Sequence, residues 1–311
     1  MTPEEQAELR KSLYNASVVH LKKLHSDLMI MRVRPDFDLP PIKPGQYTTL
    51  GLGFWEPRFP GCQDEAAIAG DEDRLARRAY SISCSILDEE GMLLTTEETS
   101  KNLEFYVVLV RDASRESPPA LTPRLFMLRQ GDRLALGEKV IGNYNADPVK
   151  SQETAIFLST GTGEAPHNYM LWQLLRQGHQ GRILSACCVR YRRDLGYLSV
   201  HQKLMKRYPK YSYLSLTTRE ADTLPNKMYI QDLITSGRLE DCLGGKLDPA
   251  STHVFLCGNP NMIGVPIKER QTGERTYPSP TGVVEILEKR GFQVDQPQAK
   301  IQGNIHFEEY W

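Results

Sequence analysis

Near residue 150 the hydrophobic pattern of the chain changes, and that change limits the folds open to it. Before it, apolar residues come in short runs broken by turns: 17–25, 28–33, the turn Pro44-Gly45-Gln46-Tyr47 into 48–51, then 79–86, 103–110 and 132–136. Short strands at this spacing predict an antiparallel β-barrel. After it, strand-like runs (155–158, 183–189, 213–217, 253–256) alternate with helical stretches (169–177, 198–208, 230–236, 282–289). That alternation predicts a parallel sheet wrapped by helices. A chain of 311 residues is long enough for two cores. The expectation is an α+β protein of two domains: a β-barrel over 17–152 and an α/β domain over 153–305. A helical extension, 1–16, precedes them, opened by Thr2 as N-cap, Pro3 and a capping-box Glu5. A short tail, 306–311, follows. The segments 54–73 and 264–280, rich in turn formers and charge, read as surface excursions.

Composition excludes several classes. A net charge of -1 gives no global attraction to nucleic acid or to an anionic membrane. No apolar run approaches the roughly 20 residues that cross a bilayer. The polar, acidic N-terminus is unlike a secretory signal peptide, so a cytoplasmic protein is expected. The cysteines Cys62, Cys84, Cys187, Cys188, Cys242 and Cys257 are scattered, without the paired spacing of a zinc or iron–sulfur site, so no metal is expected. They read as free thiols, with Cys187 and Cys188 buried on a strand.

Four stretches carry chemistry. Arg78-Ala79-Tyr80-Ser81 sets a cation, a flat ring and a hydroxyl close together, with Arg78 and Tyr80 on one face of an extended strand. Such residues can clamp a diphosphate and cover a flat heterocycle, though an edge strand with a solvated arginine has the same sequence. Second, Thr160-Gly161-Thr162-Gly163 follows an apolar run and leads to Pro166 at a helix start, leaving backbone N–H groups to face an anion. It is neither the dinucleotide fingerprint nor a Walker loop. Third, the run from Phe255 to Ile263, FLCGNPNMI, is a strand ending at the sheet edge where open α/β folds bind ligands, which places Cys257 best among the six cysteines. Fourth, the chain finishes Glu308-Glu309-Tyr310-Trp311, two large aromatics that call for a docked end.

RAYS (78–81), GTGEAP (161–166), CGNPNM (257–262) and a terminal ExYW stand in the order and rough spacing of the ferredoxin–NADP+ reductases, and the chain resembles the bacterial type that ends in Tyr-Trp. Supporting matches are Pro44 to Tyr47, Leu103 to Tyr106, Leu121 to Leu125 and Thr218-Arg219-Glu220. The resemblance covers about 16–311. It implies an FAD-binding barrel and a Rossmann-like NADP-binding domain. Arg78, with Ala79 beside it, would meet the FAD diphosphate, Tyr80 would stack on the isoalloxazine, and Ser81 would lie near flavin N5. Phe105, Tyr106 and Val107 would line the flavin or its ribityl chain. Ala120, Leu121 and Thr122 would offer N–H and hydroxyl groups to the diphosphate. Tyr310 would lie on the other flavin face, with Trp311 beside it or over the adenine. Gly161, Thr162, Gly163, the Cys257-Gly258 turn, Asn259 and Asn261 would receive the dinucleotide and guide its nicotinamide. Glu308 matches the acid that helps hydride or proton handling, and Ser81, Cys257, Glu308 and Tyr310 form the catalytic set. NADPH would deliver a hydride to FAD, which passes single electrons on. With no iron–sulfur motif in this chain, the acceptor would be a separate ferredoxin or flavodoxin, bound transiently and electrostatically by a monomer.

The dinucleotide preference has its own physical basis. NADH sites place an acid on the ribose 2′-OH, whereas NADPH sites supply cations. Here the strand 213–217 ends in Thr218-Arg219, Lys227 follows, and Arg190 ends the neighbouring strand. These residues suit a 2′-phosphate, although Lys227 stands where the family often has arginine. Two rival readings share the scaffold. One is a flavin reductase or the reductase component of an oxygenase or cytochrome system. The other is a flavin-binding module without turnover, for which the departures Glu164 and His167 speak. The family usually has an aliphatic residue at Glu164 and an aromatic at His167. An acid aimed at a diphosphate would repel it, so the Glu164 carboxylate is expected to turn away, toward a basic side chain, toward His167, or toward the flavin edge.

Overall fold

A computed structural model describes residues 1–65, 73–113, 118–269, 274–296 and 301–310. The chain divides into two compact units, Met1–Cys84 with Leu94–Asn143, and Ser85–Leu93 with Tyr144–Trp311.

Unit 1 contains α1 (Pro3–Leu13), β1 (Ala16–His25), β2 (Leu28–Pro35), β3 (Tyr47–Gly53), β4 (Leu75–Ser81), α2 (Thr96–Lys101), β5 (Leu103–Val108), α3 (Thr122–Leu125) and β6 (Arg133–Leu136). Its strands form one antiparallel sheet in the order β4-β3-β6-β1-β2-β5. The antiparallel architecture is as expected, but the sheet does not close into a barrel. Beyond the end of β4 a single bridge, in which the Ser83 N–H donates to the Glu104 carbonyl at 2.8 Å, is the contact made with β5. The strand expected over 79–86 starts earlier and stops at Ser81. Past it, Ile82 still donates to Gln46 on the β3 side, Ser83 donates to Glu104, and Ile86, buried, takes a φ of 65°. The positive φ at Ile86 ends the extended run.

The N-terminal helix has the capping box its sequence calls for, with Thr2 and Glu5 bonded reciprocally at 2.6 and 3.2 Å. None of its residues is fully buried, so tertiary packing does not hold it. Instead Arg10 forks onto Glu56 at 2.8 and 2.9 Å, and the Tyr14 hydroxyl donates to the same carboxylate while accepting from the Gly53 N–H. The expected surface loop 54–73 is therefore tied down over its described part. Trp55 stacks with Tyr14 at 6.3 Å, and Glu65 accepts from the buried Arg124 at 2.7 Å. The rest of that loop, 66–72, lies outside the described residues.

Unit 2 contains β7 (Thr154–Thr160), α4 (Glu164–Arg176), β8 (Ile183–Val189), α5 (Leu198–Arg207), β9 (Tyr211–Thr217), α6 (Ile230–Thr235), α7 (Arg238–Leu243), β10 (Thr252–Gly258), α8 (Pro260–Ile263), the pair β11 (Ile267–Lys268) and β12 (Arg275–Thr276), α9 (Val283–Glu288) and β13 (Ile305–Glu309). Five parallel strands run in the order β13-β10-β7-β8-β9. Buried aliphatics such as Ile156, Leu158, Leu184, Val254 and Leu256 pack against Ile230, Leu233 and Val284 from the helices. Near-continuous apolar strands are what a sheet covered on both faces requires.

Two elements depart from the sequence reading. The helix expected from 169 starts five residues earlier, at Glu164, because Pro166 falls in the first turn, where its missing N–H has no partner to lose. The expected tail becomes β13, an edge strand: Ile305 to Glu309 pair with Val254 to Gly258, and the Tyr310 N–H donates to the Gly258 carbonyl at 2.9 Å. The excursion 264–280 holds the short pair β11 and β12 and is clipped to α9 by Arg275 and Tyr277, both on Glu288.

Candidate functional site

The carboxyl ends of β7 and β10, neighbours in the sheet, carry two turns in van der Waals contact. A Cβ at Gly163 would come 2.3 Å from the Cys257 carbonyl oxygen, and one at Gly258 would come 2.2 Å from Thr160 Oγ1. Gly258 also has a φ of 125°, so glycine is required there twice over. The Asn259 N–H donates to Thr160 Oγ1 at 2.8 Å, locking one turn to the other, and the Asn259 side chain caps α8 through the Asn261 N–H. Gly161 differs. Its φ is 53° and nothing stands within 4 Å of where a Cβ would be. The helix that follows, α4, begins with no side-chain cap. An uncovered glycine turn before an uncapped helix N-terminus leaves positive backbone dipoles for an anion. Thr162 lies on this turn, part-exposed.

Glu164, the first residue of α4, points the other way. It is 3% exposed, and its Oε1 accepts from the Tyr213 hydroxyl at 2.7 Å and from His201 Nε2 at 3.1 Å. His201 Nδ1 is in turn 2.7 Å from the Tyr211 hydroxyl, and its ring stacks on Tyr213 at 4.0 Å. Glu164 Oε2 has no hydrogen-bond partner among the described residues. Of the expected partners, then, the carboxylate takes a basic side chain and not His167. Burial, with the Glu164 charge adding to it, pushes the Tyr213 hydroxyl and the Cys187 thiol well above their usual pKa values. His167 bonds instead to the Tyr144 hydroxyl at 2.7 Å, beside the Phe157 ring, and burial pushes its imidazole down to about 3. It is neutral at physiological pH.

The cations of the 2′-phosphate argument lie at the same sheet edge. Arg190 and Arg219 follow β8 and β9, and the Arg219 N–H donates to the Arg190 carbonyl at 2.9 Å while Thr218 donates to Val189 at 3.1 Å. Both arginines are exposed and make no ion pair among the described residues. Lys227 is exposed, with its ammonium over Tyr229 at 5.5 Å. Arg192, by contrast, is paired with Asp222, and Arg193 lies over Tyr191 at 4.9 Å.

Cys257 ends β10 fully buried, and burial, with Glu308 adding, pushes its thiol well up. It is therefore a protonated thiol. Glu308 pairs with Cys257 in the β13–β10 register and Glu309 with Gly258, and Tyr310 follows the strand. Trp311 lies outside the described residues.

On unit 1, Arg78 and Ala79 are exposed on β4, Tyr80 is part-exposed and Ser81 buried. The Arg78 guanidinium donates to the Arg77 carbonyl at 2.9 Å, and the Tyr80 ring meets Phe105 edge-on at 6.4 Å. Phe105, Tyr106 and Val107 are buried on β5. The segment with Ala120, Leu121 and Thr122 is fixed from below: Arg124 donates to the Ala120 carbonyl at 2.6 Å, Arg58 to Pro119 at 3.0 Å, and the Val110 N–H to Thr122 Oγ1 at 3.1 Å. Sequence reasoning missed Arg58, Arg124, Tyr144, His201, Tyr211 and Tyr213. A signal existed for His201: with Leu204 it occupies the buried stripe of α5, at the spacing of an apolar face.

Comparison with known proteins agrees with this geometry. The model of the oxidoreductase NAD-binding domain matches residues 157–266. The flavodoxin/ferredoxin–NADP reductase of Shigella flexneri is 30% identical over 224 residues, covering 72% of this chain and 76% of the relative. Among solved structures, the ferredoxin NADP+ reductase of Neisseria gonorrhoeae with bound FAD and NADP superposes with a TM-score of 0.66 at 20% identity, over 95% of this chain and 98% of the other. A cytochrome P450 reductase from Amycolatopsis superposes at 0.61 and 18% identity, over 95% of this chain and 69% of that one.

Proposed function

The chain belongs to the flavodoxin/ferredoxin–NADP reductases, and from that premise we propose that it binds FAD through unit 1 and NADPH through unit 2, and moves electrons between NADPH and a separate ferredoxin or flavodoxin. One observation carries the dinucleotide part. The uncovered turn at Gly161 shares a sheet edge with Arg190 and Arg219, two exposed cations that make no ion pair among the described residues. A diphosphate suits the first and a 2′-phosphate the second.

Unit 1 fits a flavin nucleotide. Arg78 is an exposed cation on an edge strand, Tyr80 offers a ring face two residues on, and the Ala120-Leu121-Thr122 backbone is held in place by Arg124 and Arg58. Bound FAD supplies the redox chemistry, accepting a hydride and releasing electrons singly. The protein's part is binding and orientation. Arg78 neutralises diphosphate charge, Tyr80 covers the ring system, and Thr122 with its neighbours donates to phosphate oxygens. Ser81 is the hydroxyl that unit 1 offers to the flavin, and Glu308 and Tyr310 are the proton-handling and aromatic groups that unit 2 offers to the reaction. Phe105, Tyr106 and Val107 give the cofactor a fixed apolar support. On unit 2, Thr162, Gly163, Gly258, Asn259 and Asn261 shape the nicotinamide end, while Arg190, Thr218, Arg219 and Lys227 hold the 2′-phosphate. Cys257, kept as a thiol by burial, packs and positions; it does not act as a nucleophile.

The structural likeness to an Amycolatopsis cytochrome P450 reductase favours, as a second reading, the reductase component of an oxygenase system. Steady-state assays separate the two. NADPH-dependent reduction of ferredoxin or flavodoxin, coupled to cytochrome c, is expected to outpace reduction of free flavin by the same protein. Equal or faster reduction of free flavin would overturn the carrier-reductase reading.

A further inference from the structure

A buried carboxyl group is costly, and proteins hold one only where donors and dipoles compensate it. At Glu164 the compensation comes from three elements at once. The helix N-terminus is its own, one donor is Tyr213 on β9, and the other is His201 on α5. If Tyr211 donates to His201 Nδ1, then His201 Nε2 carries the hydrogen and donates to Glu164, as does Tyr213. Both donors then converge on one oxygen, Glu164 Oε1.

The placement of these links is what matters. Glu164 directly follows the turn at Gly161 to Gly163, and Tyr213 lies four residues before the Thr217 end of β9, from which Thr218 and Arg219 continue. A weaker tie, Cys187 Sγ to the Gly161 carbonyl at 3.8 Å, joins the same turn to β8, whose end carries Arg190. We infer that Glu164, Tyr213 and His201 are positioning residues that hold the glycine turn in register with the Arg190–Arg219 edge, so that one dinucleotide can engage both ends together. This rests on the dinucleotide reading above. The consequence is specific. A ligand that touches one end only, such as 2′-phospho-AMP, gains nothing from the register, whereas NADP+ spans it.

Calorimetric titration of the FAD-loaded protein with NADP+ and with 2′-phospho-AMP tests the inference, using Tyr213→Phe, which keeps the ring stacked on His201, and Glu164→Gln, which keeps side-chain volume. The expected result is a roughly tenfold weaker Kd for NADP+ in each variant, with 2′-phospho-AMP changed less than about twofold. Amide exchange over 160–164 should also speed up in both variants, without ligand. If both ligands weaken equally, or if melting temperature falls while both Kd values stay within about twofold, the network is structural only and the inference fails. If the unsubstituted protein binds neither ligand, the dinucleotide reading itself is wrong. If Tyr213→Phe does not fold, Glu164→Gln alone decides, on the same two Kd values.

Discussion

Two polar side chains three residues apart on the first turn of α4, Glu164 and His167, solve burial in opposite ways. Glu164 keeps an acceptor fed by two donors, with its second oxygen bare. His167 gives up its charge, and a single hydroxyl, that of Tyr144, satisfies it among aromatic rings. The first site ties the nucleotide turn to the elements carrying the cations; the second ties the helix to the core of the sheet. The contrast shows a carboxyl group retained where hydrogen bonds couple separate elements, and an imidazole neutralised where only packing is needed.

Changing one site at a time should expose that difference. Glu164→Leu leaves the Tyr213 hydroxyl and the His201 N–H buried without an acceptor. It should cost about 2–5 kcal/mol of stability, read as the denaturant midpoint. Replacing Tyr213 by phenylalanine in the same chain should recover part of that loss, because one of the two orphaned donors is then gone. At the second site the effect depends on pH. The folded pKa of His167 is about 3, below its ordinary value near 6.5, so between these values the unfolded chain binds more protons. This contribution to stability is complete above about pH 6.5 and is lost as pH falls toward 3, about 3 kcal/mol by pH 4. His167→Phe should remove that part of the acid sensitivity in urea titrations at pH 7 and pH 4, and Glu164→Gln should leave it in place.

The same contrast recurs among the surface arginines. Arg219 makes no ion pair among the described residues, whereas Arg192 is taken by Asp222. Arg219→Ala should raise the KM for NADPH about tenfold and leave that for NADH nearly unchanged, the loss of one charge-assisted phosphate contact. Asp222→Ala should leave the denaturant midpoint nearly unchanged, as loss of an exposed pair does.

Much of this was legible in the residues, and the reasons are physical. The turn at Gly161 to Gly163, the strand-end Cys257 and the cations Arg190 and Arg219 follow from local pattern, because strand ends and turns have local causes. That the first sheet stays open was not legible, since it depends on how far β4 and β5 pair beyond Ser81, a contact between residues distant in the chain. Nor was β13. Residues 305–309 read as a tail because two acids and a histidine weaken the strand pattern, and their pairing with β10 joins residues about fifty positions apart. The partners of Glu164 were hidden for the same reason: His201, Tyr211 and Tyr213 come from elements well beyond α4 in the chain, and only the fold brings them to one carboxylate.

The central claim, an FAD enzyme that takes its electrons from NADPH, is tested most directly by anaerobic titration of the purified protein with NADPH and separately with NADH, following flavin absorbance. The account predicts bleaching by about one equivalent of NADPH for each bound flavin, and little bleaching at the same NADH concentration. Equal bleaching by NADH would contradict the assignment of Arg190 and Arg219 to a 2′-phosphate, and a yellow protein that NADPH fails to bleach would contradict the enzyme itself.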